Sequence, residues 1–376
     1  MTRSASTPPS RSNCRIGRTR RRRAASICLA AALPGIACDG GTGPESILSA
    51  CTVPESEIKD AGTLRDSIPT LTNPDLRQFG DPRLFYLSSG SRVVGFTIDS
   101  FAVAVPHNIL WWHEIVNFEL PTLRLSVTYS PFTGTAFVLD RAAASVDSFE
   151  VSEFLFNNNL VMRDETGSLW PQITRSATCG TRKGVSLGLY PAVESTLGGW
   201  LGLHRDSWIV TSVTGFDRLY TLYPYGDYEQ LNNPETPFPV TNVDRRVPPK
   251  ERVVGIPGDD GGIAYPFRDL FLTAGLGMIH VENAVVDGEP LALFWNSNGA
   301  VGIVYRAELD GQRLTFEMVE FQRYDIETGS RWNIRGQAVS GPLAGRSLEH
   351  VKEAYVGFWF AWAEFHPNTR LWQRLE

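Results

Sequence analysis

From Val93 onward, short β-branched and aromatic runs bounded by turn residues dominate the first half of the chain. Val93 to Ile98 and Phe101 to Val105 read as a strand pair. Leu123 to Tyr129, Ala136 to Leu139 and Phe149 to Phe156 read as three further strands. A helix is expected to begin at Pro106, whose fixed φ suits a first helical turn. A second helix is expected from Ala192 to His204. The second half follows the same plan. Leu314, Phe316 and Met318 alternate with Thr315 and Glu317, as in a half-buried strand. Leu348 to Phe365 reads as a closing helix, with Tyr355, Phe358, Trp359, Phe360 and Trp362 as its core face. Many short strands and two helices per half predict an α+β fold of mostly antiparallel sheet. A closed barrel and an open sheet give the same pattern.

The two halves also share residues. Arg92-Val93-Val94-Gly95 returns as Arg252-Val253-Val254-Gly255, and Glu165-Thr166-Gly167-Ser168-x-Trp170 returns as Glu327-Thr328-Gly329-Ser330-x-Trp332. Trp200 and His204 return as Trp362 and His366, and all offsets lie near 160 to 166. Solenoid periods run to about 50 residues, so these are two copies of a domain-sized unit. The expected units are residues 55–219, with an N-terminal leading segment, and residues 251–376. Residues 220–250 form a Tyr- and Pro-rich connector. It should pack across both units, because the aromatics from Tyr220 to Phe238 are costly to leave in water.

Residues 1–37 carry Arg20 to Arg23 and then a short apolar run, Ala24 to Ala37, which reads as an export signal. The run ends Gly35-Ile36-Ala37-Cys38, similar to a lipoprotein signal that would place a lipid on Cys38. Residues 38–54 then read as a tether. The expected location is the bacterial cell envelope, held to the membrane through Cys38. Residues 1–37 hold eight arginines and no acid, so their removal moves the formal charge from −6 to −14. Such a surface repels phosphate backbones, which argues against nucleic acid as a partner. With Cys38 lipidated, Cys51 and Cys179 are the remaining pair after export, and a disulfide between them is expected.

The sharpest polar constellation lies on the first expected helix. At 100° per residue, His107, Leu110, His113, Glu114 and Asn117 share an arc of about 120°. His113 and Glu114 are candidate acid/base residues or metal ligands, and Asn117 a candidate ligand-binding residue. A solvated helix face is the plainer reading of such a stripe. His113-Glu114-x-x-Asn117 falls one histidine short of the zinc-protease pattern, which needs two imidazoles on one metal. In the second half Asn283 matches Asn117, whereas His113 has no clear match, so a single site belongs on the first half. Asn159 and Asp164 form a second polar cluster with Glu165 to Ser168. A turn is the stronger reading of that run, because it recurs in the half that lost His113. Gly184-Val185-Ser186-Leu187-Gly188 matches the serine-hydrolase elbow in letters only, with no strand–turn–helix around it.

Three stretches resemble one family. Trp112-His113-Glu114-Ile115-Val116-Asn117 is similar to the N-W-H-E-I-V-N signature of the bacterial domain-of-unknown-function family 3179. Val127-Thr128-Tyr129-Ser130-Pro131-Phe132-Thr133-Gly134-Thr135-Ala136 resembles its V-T-Y-C-P-L-C/T-G-T-A turn. Leu160 to Gln172 resembles its L-V-M-Y-D-R-E-T-G-S-L-W-S-Q run. The family has no established reaction, and its cofactor is unknown. Ser130 and Thr133 stand where the family often has cysteines, so thiolate redox or soft-metal chemistry is absent from this turn. A Ser130 nucleophile would need an adjacent base.

These readings predict a small ligand or metal ion bound in a cleft of the first half by His113, Glu114, Asn117, Tyr129, Ser130, Thr133, Asn159 and Asp164. A hydrolase- or transferase-like enzyme using His113 and Glu114, and a non-catalytic envelope scaffold, are the alternatives.

Overall fold

Among the described residues, ten strands and two helices of the first half recur in the same order in the second, and each half carries further short strands besides. The structure, a computed structural model, describes Leu48, residues 51–62 and residues 67–374. The expected signal peptide and lipidated Cys38 lie outside the described residues. In the first half the strands are β1 (Arg92–Ile98), β2 (Phe101–Pro106), β3 (Ile115–Glu119), β4 (Arg124–Ser130) and β5 (Thr135–Asp140). They continue as β6 (Phe149–Phe156), β7 (Asn159–Asp164), β8 (Leu169–Pro171), β9 (Val193–Thr196) and β10 (Trp208–Val210). The second half contributes β11 (Arg252–Ile256), β12 (Ile263–Pro266), β13 (Ile279–Val286), β14 (Glu289–Asn296) and β15 (Val301–Arg306). It closes with β16 (Phe316–Val319), β17 (Gln322–Asp325), β18 (Arg331–Trp332), β19 (Tyr355–Phe358) and β20 (Arg370–Leu371). The helices are α1 (His107–His113), α2 (Leu197–Leu203), α3 (Phe267–Ala274) and α4 (Trp359–Phe365).

The pairings of these strands match between the halves, although the first-half sheets carry added strands. β9-β1-β2-β10 and β19-β11-β12-β20 each have one parallel pair, β2-β10 and β12-β20, and in the first half the strand Leu76–Gln78 adds antiparallel to β10. β3-β4-β5 and β13-β14-β15 are antiparallel meanders, as are β6-β7-β8 and β16-β17-β18. The fold is β-rich with few helices, consistent with α+β. The shared Arg-Val-Val-Gly runs have a packing cause. A Cβ on Gly95 would sit 2.3 Å from the Trp200 ring, and one on Gly255 would sit 2.1 Å from the Trp362 ring. Each glycine is the slot in which an indole lies on the sheet.

Three expected helices are shorter than the pattern suggested. Pro106, at φ −68°, caps α1, which stops at His113 because Glu114 takes φ +54° and the chain enters β3. The arc reading across residues 107–117 therefore fails at Glu114, since Asn117 sits on a strand. Residues 193–196 and 355–358 are strands, and α2 and α4 begin after them. In these stretches β-branched and aromatic residues pair with the glycine-bearing strands before the helices start.

One sheet face in each half packs on its meander. Val94, Phe96, Ile109, Leu110 and Val127 form that core in the first half, and Val254, Ile256, Leu270, Leu293 and Val304 form it in the second. The other face carries the terminal helix, and there the halves interlock. Trp359 and Trp362 of α4 share a core with Phe149, Val161 and Trp170 of the first half. Val193 and Leu203 pack on the core of Phe294, Tyr305 and Trp332. A fully buried side chain among these, such as Phe149 or Val161, contributes about 1.5–3 kcal/mol relative to exposure. Tyr228 of the segment between the halves touches both of them. Tyr228 packs with Phe358 and Phe360 on one side and Phe132 on the other. The Cys51–Cys179 disulfide is present and ties the N-terminal segment beside β8.

Candidate functional site

His113 is fully buried at the end of α1, and both ring nitrogens are engaged. Nδ1 lies 2.6 Å from the Pro69 carbonyl oxygen and Nε2 lies 2.7 Å from the Tyr220 hydroxyl. Burial holds its pKa below the ordinary histidine range. Glu114 faces a different environment. Its carboxyl is buried 3.4 Å from the Tyr225 hydroxyl, and burial pushes its pKa up to about 8. At neutral pH it is a protonated acid, held on a residue whose positive φ is uncommon for a side chain with a Cβ.

The other sequence candidates divide among separate networks. The Asn117 side chain bridges β3 to Phe149, donating to its carbonyl at 3.0 Å and accepting from its N–H at 3.2 Å. Asn283 makes the same pair of bonds to Phe316. Thr133, Thr135, Asn159 and Gln172 satisfy one another in a buried amide–hydroxyl network. Ser130 Oγ accepts from the Leu160 N–H at 3.2 Å. Asp164 organises the turn after β7, accepting from the Thr166 and Ser168 N–H groups and from Trp170 Nε1. These residues do not meet around one cleft. Among the described residues, no group of three or more His, Cys, Asp and Glu side chains is placed to hold a metal ion.

Tyr129 joins a buried ionic network that the sequence did not reveal. Its hydroxyl donates to Glu229 at 3.1 Å, and Arg252 Nη2 reaches the other oxygen of that carboxylate at 3.1 Å. Arg92 donates twice to Glu194 Oε1, and Arg252 Nη1 lies 3.5 Å from the same oxygen. The two arginines are the matching residues of the shared Arg-Val-Val-Gly runs. His107, 1 % exposed, lies 3.7 Å from Glu194 Oε1, yet neither of its ring nitrogens has a hydrogen-bond partner. Burial, with Arg92 and Arg252 nearby, drives its pKa well below the ordinary value, so the ring is neutral.

An open pocket lies where β9 and α2 meet the second half. It encloses about 460 Å³, within the range of small-ligand sites. Val193, Leu203, Ile303 and Leu348 line its apolar wall, and Asp99, His204, Arg335, Gln337 and His350 supply polar groups. In the other half Tyr355 stands at the matching place. Val193 pairs with Gly95 and Tyr355 pairs with Gly255 at equivalent register. The Tyr355 hydroxyl lies 2.9 Å from His366 Nε2, and His366 stacks on Trp362 at 4.0 Å. His204 lies against Trp200 at 4.4 Å, but Val193 offers it no hydroxyl. Burial and Arg335 lower the His204 pKa, and burial takes His350 down to about 4, so both rings are neutral at pH 7.

The model of a family described as a protein of unknown function, DUF3179, matches residues 65–369. The chain belongs to this family. The match runs unbroken from the first strands through the connector into α4 and beyond it. No match is found among curated proteins or among solved structures.

Proposed function

We propose that this protein is an exported, lipid-anchored member of its family that binds a small ligand in the pocket beside His204. One asymmetry carries the reading. Two halves with the same order of matching strands and the same Trp–His stack differ at Val193 and Tyr355: beside the valine lie a cavity and an imidazole without a hydroxyl partner, whereas the tyrosine bonds His366. The shared order of strands, the Gly–Trp slots and the repeated motifs support descent of the halves by tandem duplication. On that view, one copy closed its pocket and the other kept it. The leader ending at Cys38 supports export and a membrane tie through lipid.

A hydrolase- or transferase-like enzyme is the second reading. It is favoured by the buried, protonated Glu114 and by the unpartnered His107 ring. Neither residue lines the pocket.

Native mass spectrometry of the full chain, exported and purified in detergent without chelator, tests the binding reading. A bound small molecule is expected in the wild type and in His113→Ala, and is expected to be lost in Val193→Tyr. An unliganded wild type, or a ligand retained by Val193→Tyr and lost in His113→Ala, overturns it.

A further inference from the structure

We infer that the pocket beside His204 takes a small monocarboxylic acid with an apolar or aromatic body. This rests on the binding reading above and adds the chemical class. Val193, Leu203, Ile303 and Leu348 supply an aliphatic wall, and Phe96, Trp200 and Tyr305 line the same pocket. That surface suits a compact apolar body of a few carbons or one ring.

The charged groups on the lining are Arg335 and Asp99. The Arg335 side chain is exposed at the turn between β18 and the strand Ala338–Ser340, and among the described residues no carboxylate pairs with it. A guanidinium in a fixed fork matches a carboxylate in two parallel hydrogen bonds. His204, His350 and Gln337 add neutral donors for the remaining lone pairs. Asp99, on the β1–β2 turn, places one negative charge on the same lining, which disfavours a dianion such as a phosphate monoester. One cation, one acid, neutral imidazoles and an aliphatic wall are the complement of a single carboxylate on an apolar body. His350 also lines a separate narrow cleft, in which the Glu194 carboxylate is already paired with Arg92 and Arg252. The acid group of the ligand belongs beside Arg335, the cation of this lining.

The probes are benzoate and its neutral isostere benzamide, titrated into the full chain by calorimetry. Benzoate should bind saturably and at least about tenfold more tightly than benzamide, a difference of one decade in Kd. Arg335→Gln alters an exposed residue and keeps the fold, and it should erase that difference. Equal affinity for the two probes, a difference that survives Arg335→Gln, or no binding of either overturns the acid assignment. Benzamide binding as tightly as benzoate, with both lost in Val193→Tyr, overturns the acid assignment alone and leaves the pocket reading standing.

Discussion

Asp164 Oδ2 accepts a hydrogen bond of 2.9 Å from Trp170 Nε1, and Asp325 accepts one of 2.8 Å from Trp332 at the matching turn. Both aspartates also hold the threonine two or three residues on through its N–H and hydroxyl. The Glu-Thr-Gly-Ser-x-Trp run therefore recurs because a buried carboxylate, a turn and an indole form one unit. Asp164→Ala strands the indole N–H and the turn donors, and should cost about 3 kcal/mol of stability. Asp325→Ala should cost a similar amount. Denaturant unfolding checks both. Ligand binding lost in Asp164→Ala at unchanged stability would return Asp164 to the list of binding residues.

Glu114 makes stability depend on pH. Burial raises its pKa from 4.5 to about 8, so between those values the folded chain holds a proton that the unfolded chain releases. The folded state then binds more protons, and stability falls as pH rises through that window. The contribution is full below pH 4.5 and is lost towards pH 8. Its slope is up to about 1.4 kcal/mol per pH unit. Glu114→Gln cannot titrate, so the wild type should lose stability relative to this variant as pH rises from 6.5 to 8. Parallel stability curves for the two proteins would contradict a buried, protonated Glu114.

The disulfide joins residues 128 apart in sequence and pins the leading segment to a buried Cys179. Reduction should destabilise the fold by about 2–5 kcal/mol. Thermal unfolding with and without reductant measures it. An unchanged Tm would show that the leading segment adds no constraint.

Much of the fold was legible because its causes are local. The strand Phe149–Phe156 is legible to the residue, since its apolar run and flanking turns mark it. Helix ends were lost where a single backbone angle decides them, as at Glu114, whose side chain gives no hint of φ +54°. The arc of His107, His113, Glu114 and Asn117 failed as a cluster for the same reason, because a helical projection does not continue past a left-handed residue. The ionic network was hidden because Arg92, Glu194, Glu229 and Arg252 are far apart in sequence and meet only when the halves interlock. The pocket was within reach. The offset of 162 that relates Trp200 to Trp362 and His204 to His366 also sets Val193 against Tyr355. That substitution of a small residue for a hydrogen-bonding ring was the available signal.

The most direct test is the unfolding free energy of ligand-free Val193→Tyr beside the wild type. The other half shows how such a ring sits, 5.0 Å from Trp362 and hydrogen-bonded to His366. If the pocket is open space kept for a ligand, the new tyrosine fills it and bonds His204. Stability then stays level or rises by about 1 kcal/mol. A loss of more than about 2 kcal/mol would mean that the ring is overpacked there. It would contradict the claim that the two halves differ by one closed and one open pocket.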